Sequence, residues 1–178
     1  MSYPPTILVC FAVEEEAKPF RKATQNFPTV QILITGIGRD NARRLTIETL
    51  NESDAKAVLT CGFAGGLNPA LPRGTVLFAG DDNFPHIEYL KKAGAKPGSF
   101  HCADRVLITK EEKEAAHEAI GADAVEMESG TIQQLCDEAS VPCATVRVIS
   151  DAADETLPLD FNQLLSTDNT ISHAALAK

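Results

Sequence analysis

Three carboxylate-bearing segments in this sequence have residue types suited to acid–base chemistry. Glu14, Glu15 and Glu16 follow directly on the apolar run TILVCFAV. AVEMESG, residues 124–130, places Glu126 and Glu128 two residues apart at a strand-to-helix junction. VRVISDAAD, residues 146–154, ends an apolar strand with Arg147, Ser150 and Asp151. Carboxylates at the ends of separate strands can divide the work of a proton donor and a base that activates water. In open α/β sheets such strand ends are where ligands bind. Each segment also has a plainer reading. Acidic residues at a helix start are favoured by the macrodipole, Asp151 can cap a turn, and Arg147 can pair with a glutamate. Three successive helical residues point in different directions, so one or two of the three glutamates at most can face a cleft. A fourth segment, Gly62-Phe63-Ala64-Gly65-Gly66, reads as a glycine-rich turn that lets a ligand approach the backbone. It has neither the GxGxxG order of a dinucleotide site nor a Walker A lysine. GIGRD at 36–40 is another turn.

The elements that must hold these residues alternate. Residues 6–13 form a continuous apolar run, the pattern of a strand covered on both faces. A helix is expected over 14–22, with Pro19 as a break or first-turn position. Strands follow at 30–35, 57–61 and 75–79, with an amphipathic helix at 39–51 carrying Ala42, Leu45, Ile47 and Leu50. Residues 80–99 are broken by Asp81, Asp82, Asn83, Pro85, Gly94, Pro97 and Gly98, leaving room for a short helix at 86–93. A short strand is expected at 105–108 and a helix at 110–119 with Gly121 as its C-cap. A helix at 127–139, a strand at 143–149 and a terminal helix at 161–177 complete the order. This alternation predicts an α/β fold, a central sheet with helices on both faces, in one domain spanning 1–178.

Bulk properties exclude several classes. At 178 residues, 44% hydrophobic and 23% charged, the chain has ordinary globular composition. A domain of this size buries roughly 70% of its unfolded surface. Its net charge of -9, with no basic run, disfavours nucleic acid as a partner. No stretch approaches the ~20 apolar residues of a membrane span. The N-terminal run lacks a basic flank and reads as a buried strand, so a cytoplasmic location is expected. Cys10, Cys61, Cys102, Cys136 and Cys143 are odd in number and lack CxxC spacing, which argues against disulfides or zinc. His86, His101, His117 and His173 show no metal spacing, so no metal or other cofactor is expected.

AVEMES, VRVISDAAD, the AVEEEA opening and CGFAGGLNPALPRGTVL resemble the methylthioadenosine/S-adenosylhomocysteine nucleosidases and purine nucleoside phosphorylases. The order and approximate spacing match from residue 6 to about 165. GFAGGLNPAL with ADRVLIT (103–109) also resembles hopanoid-associated phosphorylases. The resemblance implies a single α/β domain around a mixed, partly barrel-like sheet, assembled as a dimer or larger homo-oligomer. It implies cleavage of the N-glycosidic bond of a purine nucleoside, with water or phosphate as co-substrate. In that scheme Glu16 activates water, Met127 and Glu128 contact the ribose, and Asp151 serves the purine N7. Arg147 lies near the attacking water, Val106 stacks on the base, and Phe161 lines the base pocket. Phe63, Ala64, Gly65, Glu126 and Ser150 complete the candidate substrate-binding set.

The chemistry suits these roles. A purine is a poor anionic leaving group, and a carboxylic acid whose proton affinity is raised by burial can protonate it. The ribose then gains oxocarbenium character, which a carboxylate on its hydroxyls stabilises. Two departures stand out. The chain is short between Gly80 and Phe100, where the family encloses the 5′ substituent and contacts a neighbouring subunit. Phe63 stands where the nucleosidases usually carry serine. No arginine lies within CFAVEEE or TCGFAGG, and Arg39 and Arg73 remain as anion-site candidates. Hydrolysis is favoured over phosphorolysis, and a nucleoside-binding domain with weak catalysis is the alternative from another class.

Overall fold

The computed structural model describes residues 6–80 and 83–164. Its centre is one eight-stranded mixed sheet. In chain order the elements are β1 (Thr6–Phe11), α1 (Glu14–Thr24), β2 (Val30–Ile34), α2 (Arg39–Glu52), β3 (Ala55–Gly66), β4 (Val76–Gly80), α3 (Ile87–Lys92), β5 (Lys96–Pro97), β6 (Phe100–Cys102), α4 (Lys110–Ile120), β7 (Ala124–Glu126), α5 (Ser129–Glu138), β8 (Cys143–Asp151) and α6 (Phe161–Leu164). The main path runs β2-β1-β3-β8-β4-β5, and β7 joins both β3 and β6. Pairs β1–β2, β1–β3 and β3–β8 are parallel, whereas β8–β4 and β3–β7 are antiparallel.

The two-residue period of the strands sorts the core onto both faces. Leu8, Cys10, Val58 and Cys143 face α2 and α5, where they meet Ala42, Ile132 and Cys136. Val9 and Phe11 face the other way, against Ala17 and Phe20 of α1. Ala57 and Ala144 pack on that second face with Phe84, Ile87 and Leu90 around α3. Apolar residues on both sides of β1 explain its unbroken hydrophobic run.

The glycine-rich segment corrects the sequence reading. Residues 62–66 are not a turn but the second half of β3, a strand of 12 residues. Along one edge β3 pairs with β8 from Val58 to Gly65. Along the other it pairs with β1 up to Thr60, then with β7 from Gly65. Residues 61–64 lie where the two neighbours diverge, and there the strand edge opens. Turn propensity loses here to long-range ladders on both sides of the strand.

Other differences are smaller. Residues 105–108 form no strand; β6 lies upstream at Phe100–Cys102, and 103–108 is irregular chain leading into α4. Pro19 lies inside α1 and does not end it. The packing of Ala17 and Phe20 offsets the lost hydrogen bond. Helix α5 begins at Ser129, two residues later than the apolar pattern suggested. Gly121 caps α4 with φ 73°, as its position predicts. The terminal helix is described over Phe161–Leu164, and the rest of the expected 161–177 segment lies outside the described residues. Cys10, Cys136 and Cys143 are buried, and Cys61 and Cys102 are half-buried.

Ile132 is 1% exposed between α5 and the sheet. Ile132→Ala should lower unfolding free energy by about 2–5 kcal/mol, read as a lower urea midpoint at unchanged slope.

Candidate active site

A cavity of about 440 Å³ opens where β1 and β7 part company along β3. The loop after β1, the open edge of β3, the β7–α5 junction and the end of β8 all contribute walls. Of the three adjacent glutamates, Glu14 pairs with Arg21 on the surface, Glu15 is exposed, and Glu16 turns into the cavity. Its Oε1 accepts the N–H of Phe63 at 2.9 Å. Its Oε2 accepts the N–H groups of Ala12 and Val13 at 3.2 and 3.4 Å. The carboxylate thus occupies a nest of backbone donors, including one from the open edge of β3. Gly62 makes this possible. It has φ +146°, and a Cβ there would lie 2.6 Å from Glu16 Oε1 and 2.6 Å from Arg147 Nη1.

Arg147 does not line the cavity; it lies behind the wall at 2% exposure. Its Nη1 donates to the Cys61 carbonyl at 2.6 Å, and its Nη2 to Thr60 Oγ1 at 3.1 Å and Glu126 Oε2 at 2.7 Å. Glu128 Oε2 stands 3.7 Å from Nη2. Glu126 also accepts the N–H groups of Glu128 and Ser129 at 3.0 and 2.7 Å and the Ser129 hydroxyl at 2.6 Å. Burial pushes its proton affinity up, but the Arg147 charge and these donors outweigh it, and the carboxyl stays below its ordinary range. Glu126 therefore organises the start of α5 and the seat of Arg147. The more weakly held carboxyl is Glu128, whose Oε1 accepts the Gly38 N–H at 2.8 Å. Burial raises its pKa to about 7; Arg147 opposes the shift, and the charges of Glu126 and Glu16 add to it.

At the far end of β8 the pairing with β3 slips by one residue between Ala64–Ile149 and Gly65–Asp151. Such a bulge re-aims the side chains beside it. Asp151 comes to rest buried at the cavity wall, with Oδ1 accepting the Ser150 hydroxyl at 2.6 Å. Its Oδ2 is ion-paired with Lys113, which is fully buried on α4. Sequence reasoning missed this lysine because KEEKEAAHEAI looks solvated throughout. The available signal was its spacing: Lys113 lies three residues before Ala116, on the helix stripe that meets the core. Asn162 was also missed. It holds Val106 by both main-chain groups, at 2.9 and 3.0 Å.

Apart from Arg147, the structure brings every candidate site residue to this cavity: Glu16, Phe63, Ala64, Gly65, Val106, Glu126, Met127, Glu128, Ser150, Asp151 and Phe161. Arg73, one of the two anion-site candidates, also lines the cavity, and Ile37, Arg105, Leu107 and Leu157 join it without having been foreseen. Arg39 is engaged elsewhere, with Asp104 and the Cys102 carbonyl. None of the described residues of the short 80–100 segment lines the cavity. Among the described residues, no cluster of His, Cys, Asp or Glu is arranged to hold a metal ion.

The model of the phosphorylase superfamily matches residues 9–89 and 87–178. The chain belongs to the phosphorylase superfamily. Among its superfamily relatives, aminodeoxyfutalosine nucleosidase of Campylobacter jejuni is 26% identical over 168 residues, spanning 76% of this chain and 73% of that protein. The 5′-methylthioadenosine/S-adenosylhomocysteine nucleosidase of Glaesserella parasuis is 28% identical over 173 residues, spanning 79% and 75%. The fold matches the crystal structure of the Neisseria meningitidis 5′-methylthioadenosine/S-adenosylhomocysteine nucleosidase in complex with methylthio-immucillin-A. The TM-score is 0.75 at 24% identity, covering 93% of this chain and 94% of that one.

The raised pKa of Glu128 has a consequence for stability. The folded protein keeps a proton that the unfolded chain releases near 4.5. Glu128 thus contributes stability that is complete below about pH 4.5 and is lost as pH rises through about 7. Glu128→Gln removes that loss, so its stability relative to wild type should grow between about pH 5 and pH 8 in urea titrations. A constant difference across that range would show that Glu128 ionises normally.

Proposed function

We propose that this chain is a nucleosidase that uses water to cleave the N-glycosidic bond of a purine nucleoside. The observation that carries this reading is the placement of Glu16. A phosphorylase needs an anion site beside the sugar, and here the backbone donors of Ala12, Val13 and Phe63 already hold a carboxylate. A phosphate seated there would meet that charge, at a cost of about 4 kcal/mol per unit-charge pair 4 Å apart at an effective dielectric of 20. Arg73 lines the cavity but pairs with Glu155 at 2.6 Å, and Arg105 pairs with Glu112 at 2.6 Å. The nucleosidase names of the aligned relatives support the same reaction type.

In this reading the base lies between Val106 and Phe161, with N7 toward Asp151. The ribose lies over Met127, with its hydroxyls on Glu128. Asp151 gives its proton to N7 as the C1′–N9 electron pair passes to the purine. Glu128 stabilises the positive charge that grows on the sugar. Water held by Glu16 adds to C1′ and gives its proton to the Glu16 carboxylate. The substrate's 5′ group would extend toward Phe63, which is 55% exposed. An apolar 5′ substituent suits that ring. A homodimer belongs to the proposal, since a second copy could cover this exposed edge. No helix among the described residues is long and apolar enough to cross a membrane, and a cytoplasmic location belongs to the proposal.

Incubation with methylthioadenosine, S-adenosylhomocysteine, adenosine and inosine should release free base without phosphate, followed by chromatography. Asp151→Asn should lower that turnover by at least about 100-fold, with substrate affinity largely kept. Base release that requires phosphate would make the chain a phosphorylase, and saturable binding without cleavage would make it a nucleoside-binding domain. Light scattering of the active protein should return twice the chain mass; a fully active monomer would remove the dimer from the proposal.

A further inference from the structure

The burial of Lys113 is not explained by the cavity chemistry above. The residue is 0% exposed, and its ammonium has three acceptors. These are Asp151 Oδ2, the Ala152 carbonyl at 3.0 Å and the Glu155 carbonyl at 2.8 Å. All three of its protons are therefore directed at the segment that begins with Asp151. The stem is equally fixed. Helix α4 starts in a capping box of Thr109 and Glu112. That start is tied to the same segment through Lys110 N–H to Thr156 Oγ1 at 3.2 Å and Leu157 N–H to the Ile108 carbonyl at 2.9 Å. A buried charge held this way is costly to misplace, because removing one partner leaves the other uncompensated.

We propose that Lys113, from outside the cavity, is a positioning residue that sets the acid strength of Asp151 and with it the alkaline limit of the reaction. The inference rests on the nucleosidase reading. An ammonium beside a carboxyl favours its ionised form. The carboxylate that Asp151 becomes when N7 takes its proton is thus met at once by a fixed positive charge. In the step, the Asp151 O–H bond breaks and the N7–H bond forms. Lys113 loses no proton, and Asp151 is reprotonated from solvent before the next turnover. A stronger acid serves a poor leaving group better but holds its proton over a narrower range of pH. Lys113 is the cation that touches Asp151 among the described residues. The other groups near it are the Ser150 hydroxyl on Oδ1 and Glu155, whose carboxylate accepts the Ala152 N–H at 3.1 Å and is paired with Arg73. Arg147, earlier on the same strand, is engaged by Glu126 and Glu128.

The test compares pH profiles of kcat and kcat/KM for wild type, Lys113→Met, Lys113→Gln and Lys113→Arg. It adds carbon-13 NMR titration of the aspartate carboxyls, with the Asp151 signal assigned by its loss in Asp151→Asn. In Lys113→Met and Lys113→Gln the alkaline limb and the Asp151 titration should both move to higher pH together. The plateau kcat should fall about tenfold or more as the acid weakens, with KM changed much less. Lys113→Arg keeps the charge and should return both midpoints toward wild type. The glutamine variant retains a hydrogen-bond donor, so it separates charge from packing if the methionine variant does not fold. Folded neutral variants whose limb and titration coincide with wild type would overturn the proposal, whatever their rate. A wild-type protein that cleaves no nucleoside, yet shows the titration shift in the variants, would overturn the functional reading while leaving the Lys113–Asp151 coupling standing.

Discussion

A guanidinium at 2% exposure, carried into the sheet on β8, is a buried charge that its terminal nitrogens must share with partners for the strand to hold. Arg147 is met by the Cys61 carbonyl, Thr60, Glu126 and, more loosely, Glu128. Those partners come from β3 and from the β7–α5 junction, so one side chain locks together the separate strands around the cavity. The same charge keeps Glu126 ionised in a buried place. Glu128 receives less of it, and its carboxyl is left near the midpoint of its titration at neutral pH. Two buried glutamates with one residue between them thus acquire different chemistry from their distance to one arginine and from the number of donors that hold each carboxylate.

The second constraint is the open edge of β3. A strand that exchanges β1 for β7 as its neighbour leaves backbone groups without a ladder between them. The Phe63 N–H at that edge donates to Glu16. The carboxylate is held for a reason of hydrogen bonding, and it is held at the place where a water beside the sugar would have to be activated. Gly62 is indispensable to that approach, since a methyl there would strike both Glu16 and Arg147. At the other end of the cavity, the bulge in β8 and the buried Lys113 do the corresponding work for Asp151. Each carboxylate of the site is therefore backed by its own positioning device, lying in or behind the wall.

The strands and helices were largely legible because hydrophobic period, caps and turn residues are local. Apolar Thr6–Phe11, the amphipathic helix from Arg39 and the Gly121 cap all follow from neighbours within a few residues. The segments that misled were those whose conformation is imposed from a distance. Glycines 62, 65 and 66 look like a turn until β8 and β7 pair with them. Val106 and its neighbours look extended and apolar, but Asn162 and the start of α4 hold them as irregular chain.

By itself the sequence determined which groups are available: three carboxylates in a particular order, an arginine inside an apolar strand, and a glycine-rich segment too small in side chain to close the site. It also determined the class of fold, because alternating strand and helix patterns leave few ways to bury their apolar faces. The tertiary structure alone decided which glutamate of three faces inward, that Arg147 stands behind the wall and not in it, and that a lysine from an apparently solvated helix reaches Asp151. The contacts concerned join residues 47, 21 and 38 positions apart. Local pattern carries period and capping, but burial and charge pairing depend on what the sheet brings alongside, and that is set once the strands have found their neighbours.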